Sequence, residues 1–495
     1  IRGKRRKTSA KGRVRIPISA CLPPLASDTF MRCSLKVEAF LVPMRLLYGG
    51  FESWMTGEEF YDSDNSQYVR AELPRLTVFA SHLSSYSGLF APGSLLDYLD
   101  FNMDPSATIG ATSSYFYNIF PLLCYHRVYD DWYRNARVQA PVFSKPLYGS
   151  SSATGPSFLP YVARNTSIGY YVSSTFNDGV MLGALRQRNY GDDYFSVATP
   201  QAQVGNPVSV ASASSFTIQA LRVGNSLQQF AERSNLTSPR LMDYNKAHFG
   251  ANLSSGIAQR AILLGSASYD VYSKGVEANA ASAATNNPFS SVGARYGNAF
   301  ASGADFVCSY EANEQSYLLI NVTLVPEANY ASGFNHEFLL LNGPGAQVDL
   351  PDPLLENIGN EPIYSAELSG MFSTSPQPSQ VGSVFGYVPK NTWYKTAHNQ
   401  VHGLLRAGQS LDSFVAQRVF TGAVVQGSNF LTIPTTALDN VTAVTADLSN
   451  YGCWIDSYIG IKESCPLSES ALPSLQDPAY EHGHAVSLSR NGSKL

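Results

Sequence analysis

A chain of 495 residues would ordinarily divide into roughly two to four domains. Its 44% hydrophobic content is normal for a globular protein, but only 15% of its residues are charged, well below the usual quarter. No run approaches the roughly eighteen uninterrupted apolar residues of a membrane-spanning helix, so no membrane span is expected.

Low charge beside 29 Tyr, 26 Phe, 38 Gly and 28 Pro describes a β- and loop-rich chain with much uncharged surface. Such surface serves extensive protein–protein contact, although hydrogen-bonded core tyrosines account for many of the rings. The basic start passes into Ser, Ala and Gly and not into an apolar stretch, so no secretory signal is expected. Six scattered cysteines (Cys21, Cys33, Cys124, Cys308, Cys453, Cys465) lack C-x-x-C spacing and read as reduced, mostly buried thiols of a cytoplasmically made protein.

The first element in chain order is a block of charge. Arg2, Lys4, Arg5, Arg6, Lys7, Lys11, Arg13 and Arg15 fall in the first fifteen residues, with no acidic residue among them. The 34 basic and 38 acidic residues of the whole chain therefore leave an acidic body after residue 15. A short cationic arm on an anionic body can hold a polyanion while the body stays soluble. Fully extended, the arm reaches roughly 50 Å. Each phosphate it neutralises would release a counterion, making binding sequence-independent and steeply salt-sensitive. On charge alone, a solvated disordered terminus or a localisation signal is an equal alternative.

Directly after the arm, Val14, Ile16, Ile18 and Ala20 alternate with Arg13, Arg15 and Ser19, predicting a half-buried strand that is edge-like because of Pro17. A second strand is predicted where Leu35, Val37, Ala39 and Leu41 alternate with polar residues up to Pro43. Glu58, Glu59, Asp62 and Asp64 form an acidic cluster without calcium-loop spacing, better read as an exposed turn. Residues 76–79 read as a short strand. Ser94 precedes Leu95, Leu96 and Leu99 in a short predicted helix. Pro121 opens a longer one, with Tyr125, Val128 and Trp132 on one face and Asp130 and Asp131 on a solvated one. Ser215 or Thr217 can cap a third, with Leu221, Leu227 and Phe230 apolar. Ile320, Val322 and Leu324 alternate before Pro326, and residues 384–388 and 430–433 are β-like. The low-charge stretches at about 149–156 and 272–304 read as surface loops. Strands so far apart suit a Greek-key or jelly-roll sandwich with expanded connections.

Catalytic motifs are missing from this pattern. There is no G-x-x-x-x-G-K-[ST], H-E-x-x-H, G-x-S-x-G or dinucleotide fingerprint. Asp130 and Asp131 are adjacent on a helix and diverge by about 100°. His482 and His484 lack a third metal ligand nearby, and the other histidines have no ligand spacing. No catalytic residue, metal or cofactor is expected.

Four blocks resemble a known family. The first is Ile16-Pro17-Ile18 through Ser27-Asp28-Thr29-Phe30, with Phe40-Leu41-Val42-Pro43-Met44-Arg45-Leu46. The second is Phe120-Pro121 and then Tyr125 to Arg134. The third comprises Leu221-Arg222, Glu232-Arg233 and His248-Phe249-Gly250. The fourth is Phe385-Gly386-Tyr387, Trp393-Tyr394 and Gly403-Leu404-Leu405-Arg406. In this order the blocks resemble the major capsid proteins of microviruses, small single-stranded DNA phages, especially the gokushovirus-like branch. Asn235-Leu236-Thr237 and Gly359-Asn360-Glu361-Pro362 depart from the family pattern, as does the stretch from about 140 to 212.

The resemblance implies an all-β protein: an eight-stranded antiparallel jelly roll with long helical and irregular loop insertions. It implies one capsid domain over 16–495 after the 1–15 arm, with about 140–212 and 272–304 as surface or intersubunit excursions. About sixty copies would close an icosahedral shell around a single-stranded DNA genome, with the basic arm facing the DNA. A small basic DNA-packaging protein and a host cell-surface receptor are the other implied partners. The implied location is the virion, after assembly in the host bacterial cytoplasm. A non-capsid phage spike or adhesin is the alternative, and a polysaccharide-acting enzyme comes third.

Overall fold

A computed structural model describes residues 10–30, 32–48, 51–57, 59–62, 67–70, 75–79, 92–101, 114–139, 162–165, 169–172, 185–202, 218–235, 240–254, 259–277, 295–339, 359–370, 383–443 and 453–464. Two antiparallel sheets carry the architecture. Their strands are β1 (Ala10–Cys21), β2 (Cys33–Pro43), β3 (Ile262–Asp270), β4 (Tyr272–Glu277), β5 (Arg295–Ala312), β6 (Ser316–Pro326), β7 (Trp454–Ser457) and β8 (Gly460–Ser464). The first sheet runs β4-β5-β1-β7, with β8 also paired to β1. In the second, β2 lies between β6 and β3.

Period-two alternation explains why these strands form and face as they do. Val14, Ile16, Ile18 and Ala20 turn inward from β1, and Cys33, Leu35, Val37 and Ala39 from β2. Together with Ala301, Phe306 and Cys308 of β5 they make one apolar layer between the sheets. Each fully buried aliphatic side chain in it contributes about 2 kcal/mol of transfer free energy. The sheets join at a corner, where the chain passes from β3 to β4 through buried Val271, whose N–H reaches the Cys33 carbonyl at 2.9 Å.

Pro17 does not mark an edge. β1 is internal, with β5 on one side and β7 and β8 on the other. A proline lacks the ladder N–H, and the sheet absorbs this by breaking on both sides. The β1–β5 register shifts between Ile16 and Ile18, and the opposite edge is interrupted between Ser457 and Gly460. Tyr458 N–H still donates to the Pro17 carbonyl at 3.2 Å.

The outer face of the second sheet is covered by α1 (Phe120–Val128), which continues as a π-turn through Tyr133. Asn118 Oδ1 accepts the Phe120 N–H at 3.0 Å, and Pro121 sits in the first turn. Phe120, Leu122, Leu123, Cys124 and Val128 then pack on Phe40, Val42 and Leu319. Burial from both sides explains why β2 is buried at every position from Ala39 onward. Asp130 and Asp131 are not solvated, as the helix pattern had suggested. Asp130 pairs with Arg134, and Asp131 Oδ2 takes Arg127 Nε at 2.9 Å and the Ala261 N–H at 3.0 Å. They tie the π-turn to the entrance of β3.

A third cluster joins remote segments around Tyr194, Phe195, Tyr330, Phe385 and Phe430, with Phe385 on a strand (Val384–Pro389) paired to Asn360–Tyr364. It corrects two expectations. Tyr190, Tyr194, Phe195 and Ala198 are buried in the core, so the 190–198 segment is not a surface excursion. Residues 428–431 form a helical turn and not a strand, placing both Phe430 and Leu431 inside the cluster; adjacent apolar residues do not by themselves distinguish a turn from a strand. The 272–304 stretch also begins and ends in strand, as β4 and the first half of β5. Apart from these, α2 (Ile218–Asn235) and α3 (Leu241–Phe249) form a helical pair. Val223, Leu227 and Phe230 of α2 remain exposed, at i, i+4 and i+7 spacing.

Candidate nucleic-acid interface

Of the eight cations in the amino-terminal block, Arg2, Lys4, Arg5, Arg6 and Lys7 lie outside the described residues. Lys11, Arg13 and Arg15 stand on β1, because the sheet takes up the chain from Ala10. The strand pleat that buries Val14 and Ile16 sends all three to the opposite, exposed face. Two residues of strand rise separate each cation from the next by roughly 6.6 Å, so they form a rail about 13 Å long.

Neighbouring strands decide the field around this rail. Lys11 Nζ lies 3.1 Å from Glu311 Oε2 on β5, both side chains about half exposed. Arg13 is flanked by Ser309 on one side and Lys462 on the other, and Arg15 by Val307 and Gly460. The same face carries Lys274 on β4 and Asp456 on β7. Lys462 and Lys274 escaped the sequence reading: each is a single lysine in an exposed strand, and only pairing brings them beside the first-strand cations. Gly12 fixes the local packing beneath the rail. A Cβ there would sit 2.3 Å from the Tyr310 ring, so glycine lets that ring lie across β1.

Where Pro17 interrupts the sheet, a shallow cleft of about 320 Å³ opens between Pro17, Ser19, Ser302, Asp456 and Tyr458. It adjoins the rail at Arg15. Elsewhere the titratable groups are structural. Burial pushes the Cys33 and Cys124 thiols up to about 12 and Cys453 up to about 11, so at neutral pH they remain protonated, small and apolar. Among the described residues no group of three or more His, Cys, Asp or Glu side chains is arranged to hold a metal ion. His482 and His484 lie outside the described residues, as do Glu58, Asp64 and the side chains of Glu59 and Asp62.

An antiparallel β-sandwich that leaves apolar helix surface exposed has the character of a structural protein built for contact with other proteins. The family follows from the sequence match: residues 154–455, more than half of the chain, match the family model described as capsid protein (F protein), and the chain belongs to that family. It is also similar to the capsid protein VP1 of Chlamydia phage 1, with 22% identity over 552 aligned residues covering 92% of this chain and 89% of the relative. The protein is a structural major capsid protein of a microvirus, a component of the virion and not an enzyme. The spike, adhesin and polysaccharide-acting readings are set aside.

Proposed function

We propose that about sixty copies of this chain close an icosahedral shell around a single-stranded DNA genome, with residues 1–9 and the exposed face of β1 turned toward the DNA. The observation that carries the reading is the β1 pleat. It holds Lys11, Arg13 and Arg15 on the solvent side. The five strands of one sheet and three of the other support an eight-stranded jelly roll as the single capsid domain after the arm. Contact between copies is supported by the exposed stripe of Val223, Leu227 and Phe230. Assembly in the host cytoplasm, a small basic packaging protein and a host surface receptor complete the reading.

The test separates the arm from the strand. Deleting residues 1–9 leaves β1 whole and should lower the DNA content of purified particles, read from their ultraviolet absorbance ratio. Replacing Lys11, Arg13 and Arg15 with Gln should reduce the magnitude of the logarithmic salt slope of oligonucleotide binding by roughly two, about 0.7 per lost phosphate contact. Unchanged DNA content and an unchanged slope together would refute a DNA-facing amino end.

A further inference from the structure

The face that bears the cation rail also bears aromatic rings. Cys21 of β1 pairs with Phe300 of β5 on one side and Trp454 of β7 on the other, and Phe300 in turn pairs with Tyr272 of β4. The four positions form one row across four adjacent strands, about 14 Å from end to end at ~4.8 Å per strand. They share the pleat side of Lys11, Arg13 and Arg15. Trp454 is 48% exposed, Phe300 47% and Tyr272 62%, large rings left in solvent on a regular sheet face. Arg15 lies six residues from the row, roughly 20 Å along β1, with the Pro17 cleft between them.

We infer that this sheet face is a stacking platform for single-stranded nucleic acid: phosphates on the Lys11–Arg13–Arg15 rail, bases on Trp454, Phe300 and Tyr272, and one base edge in the Pro17 cleft. The inference rests on the DNA-facing reading above and extends it from charge to base contact. Charge complementarity favours a nucleic acid over a second protein copy. Lys11, Arg13, Arg15, Lys274 and Lys462 share the face with Glu311 and Asp456 alone among the described charged side chains. Exposed rings beside cations on a flat sheet hold bases without reading their sequence, because every base has a π-face. Asp456 in the cleft repels a phosphate but accepts from the amino or imino N–H of a base edge. The cleft volume lies at the small end of ligand pockets, a size suited to one nucleotide.

The decisive comparison uses the full-length chain with two labelled probes of equal length, an oligothymidylate and its abasic counterpart. The wild-type chain should bind the thymidylate on the order of tenfold tighter, or more. Replacing Trp454 and Phe300 with Ala should abolish that preference and leave the salt slope unchanged, whereas Trp454→Phe with Phe300→Tyr should retain it. Gln at positions 11, 13 and 15 should weaken both probes together and flatten the slope. Equal binding of the two probes by wild type, or a preference that survives the Ala pair, would overturn the stacking platform while leaving the electrostatic reading intact. Cation variants with wild-type binding would instead defeat the underlying reading. If the Ala pair blocks shell assembly but keeps the preference for bases, the face is a contact between copies and the inference fails.

Discussion

The inter-sheet core and the third cluster bury comparable side chains by different means. Between the sheets the contacts are mainly aliphatic, from Val14, Ile16 and Ile18 to Leu35 and Val37, with Phe306 among them. In the third cluster, aromatic rings surround polar groups. Glu367, only 1% exposed, accepts from the Tyr364 N–H at 2.8 Å and the Tyr194 hydroxyl at 3.3 Å, and faces His336 at 3.2 Å. The Tyr330 hydroxyl donates to Asp193 at 2.6 Å, while Arg418 stacks 4.3 Å from the Tyr190 and Phe430 ring centres. The first region depends on area and volume, which many side chains can supply. The second depends on direction, because each buried donor and acceptor requires its partner.

That contrast can be broken at its most crowded point. In Gly333→Ala the new Cβ would meet the Glu367 carbonyl at 1.9 Å, at a backbone φ of +99°. The substitution should cost about 4 kcal/mol, read from denaturant unfolding of the purified chain. Leu35→Ala, a pure cavity between the sheets, should cost about 3 kcal/mol by the same measurement. Isosteric swaps sharpen the comparison. Leu35→Ile should stay below about 1.5 kcal/mol, while Glu367→Gln, which points an amide donor at groups that already donate, should cost about 2 kcal/mol. Equal costs for these two swaps would erase the distinction between the regions.

Smaller effects follow from titration and surface charge. Burial among Tyr194, Phe195 and Tyr330 holds His398 below its ordinary 6.5, with Asp193 and Glu367 pulling the other way. The folded state resists protonation there, so His398 contributes stability present above pH 6.5 and lost as pH falls toward its depressed value. Unfolding midpoints measured from pH 7.5 down to 5 should decline in the wild-type chain and decline less in His398→Phe, which keeps a ring in the stack. Least of all, Lys11→Gln should change folding stability by under about 0.5 kcal/mol, because its ion pair with Glu311 is solvent-exposed.

The two regions also differ in how far their sequence announces them. Alternation in β1, β2 and β6 exposes the period directly, and the Ser94 cap and Pro121 mark helix starts that the structure contains. The first half of β5 was illegible because its Gly, Ala and Ser positions carry little hydrophobic contrast. The third cluster was illegible for another reason: Asp192-Asp193-Tyr194-Phe195 looks polar until Tyr330, far along the chain, supplies a hydroxyl for Asp193. Of the candidate interface, the cations were visible as a block of charge. The rings of Trp454, Phe300 and Tyr272 were not, since only strand pairing sets residues from such distant segments in one row.

The gap at Pro17 has a mechanical consequence. It parts the first sheet into two sets of rungs along β1, residues 10–16 and 18–21, that need not open together. Peeling that starts at the amino terminus would detach the first set and then meet the proline, where the one bond from Tyr458 N–H to the Pro17 carbonyl replaces the paired rungs. Beyond that point the chain is pinned again, by Leu22 N–H on the Ala299 carbonyl at 3.0 Å and Leu25 N–H on the Gly297 carbonyl at 2.9 Å. Strain entering β1 from its amino end can therefore loosen the strand's first half while residues 18–25 stay bonded to β5.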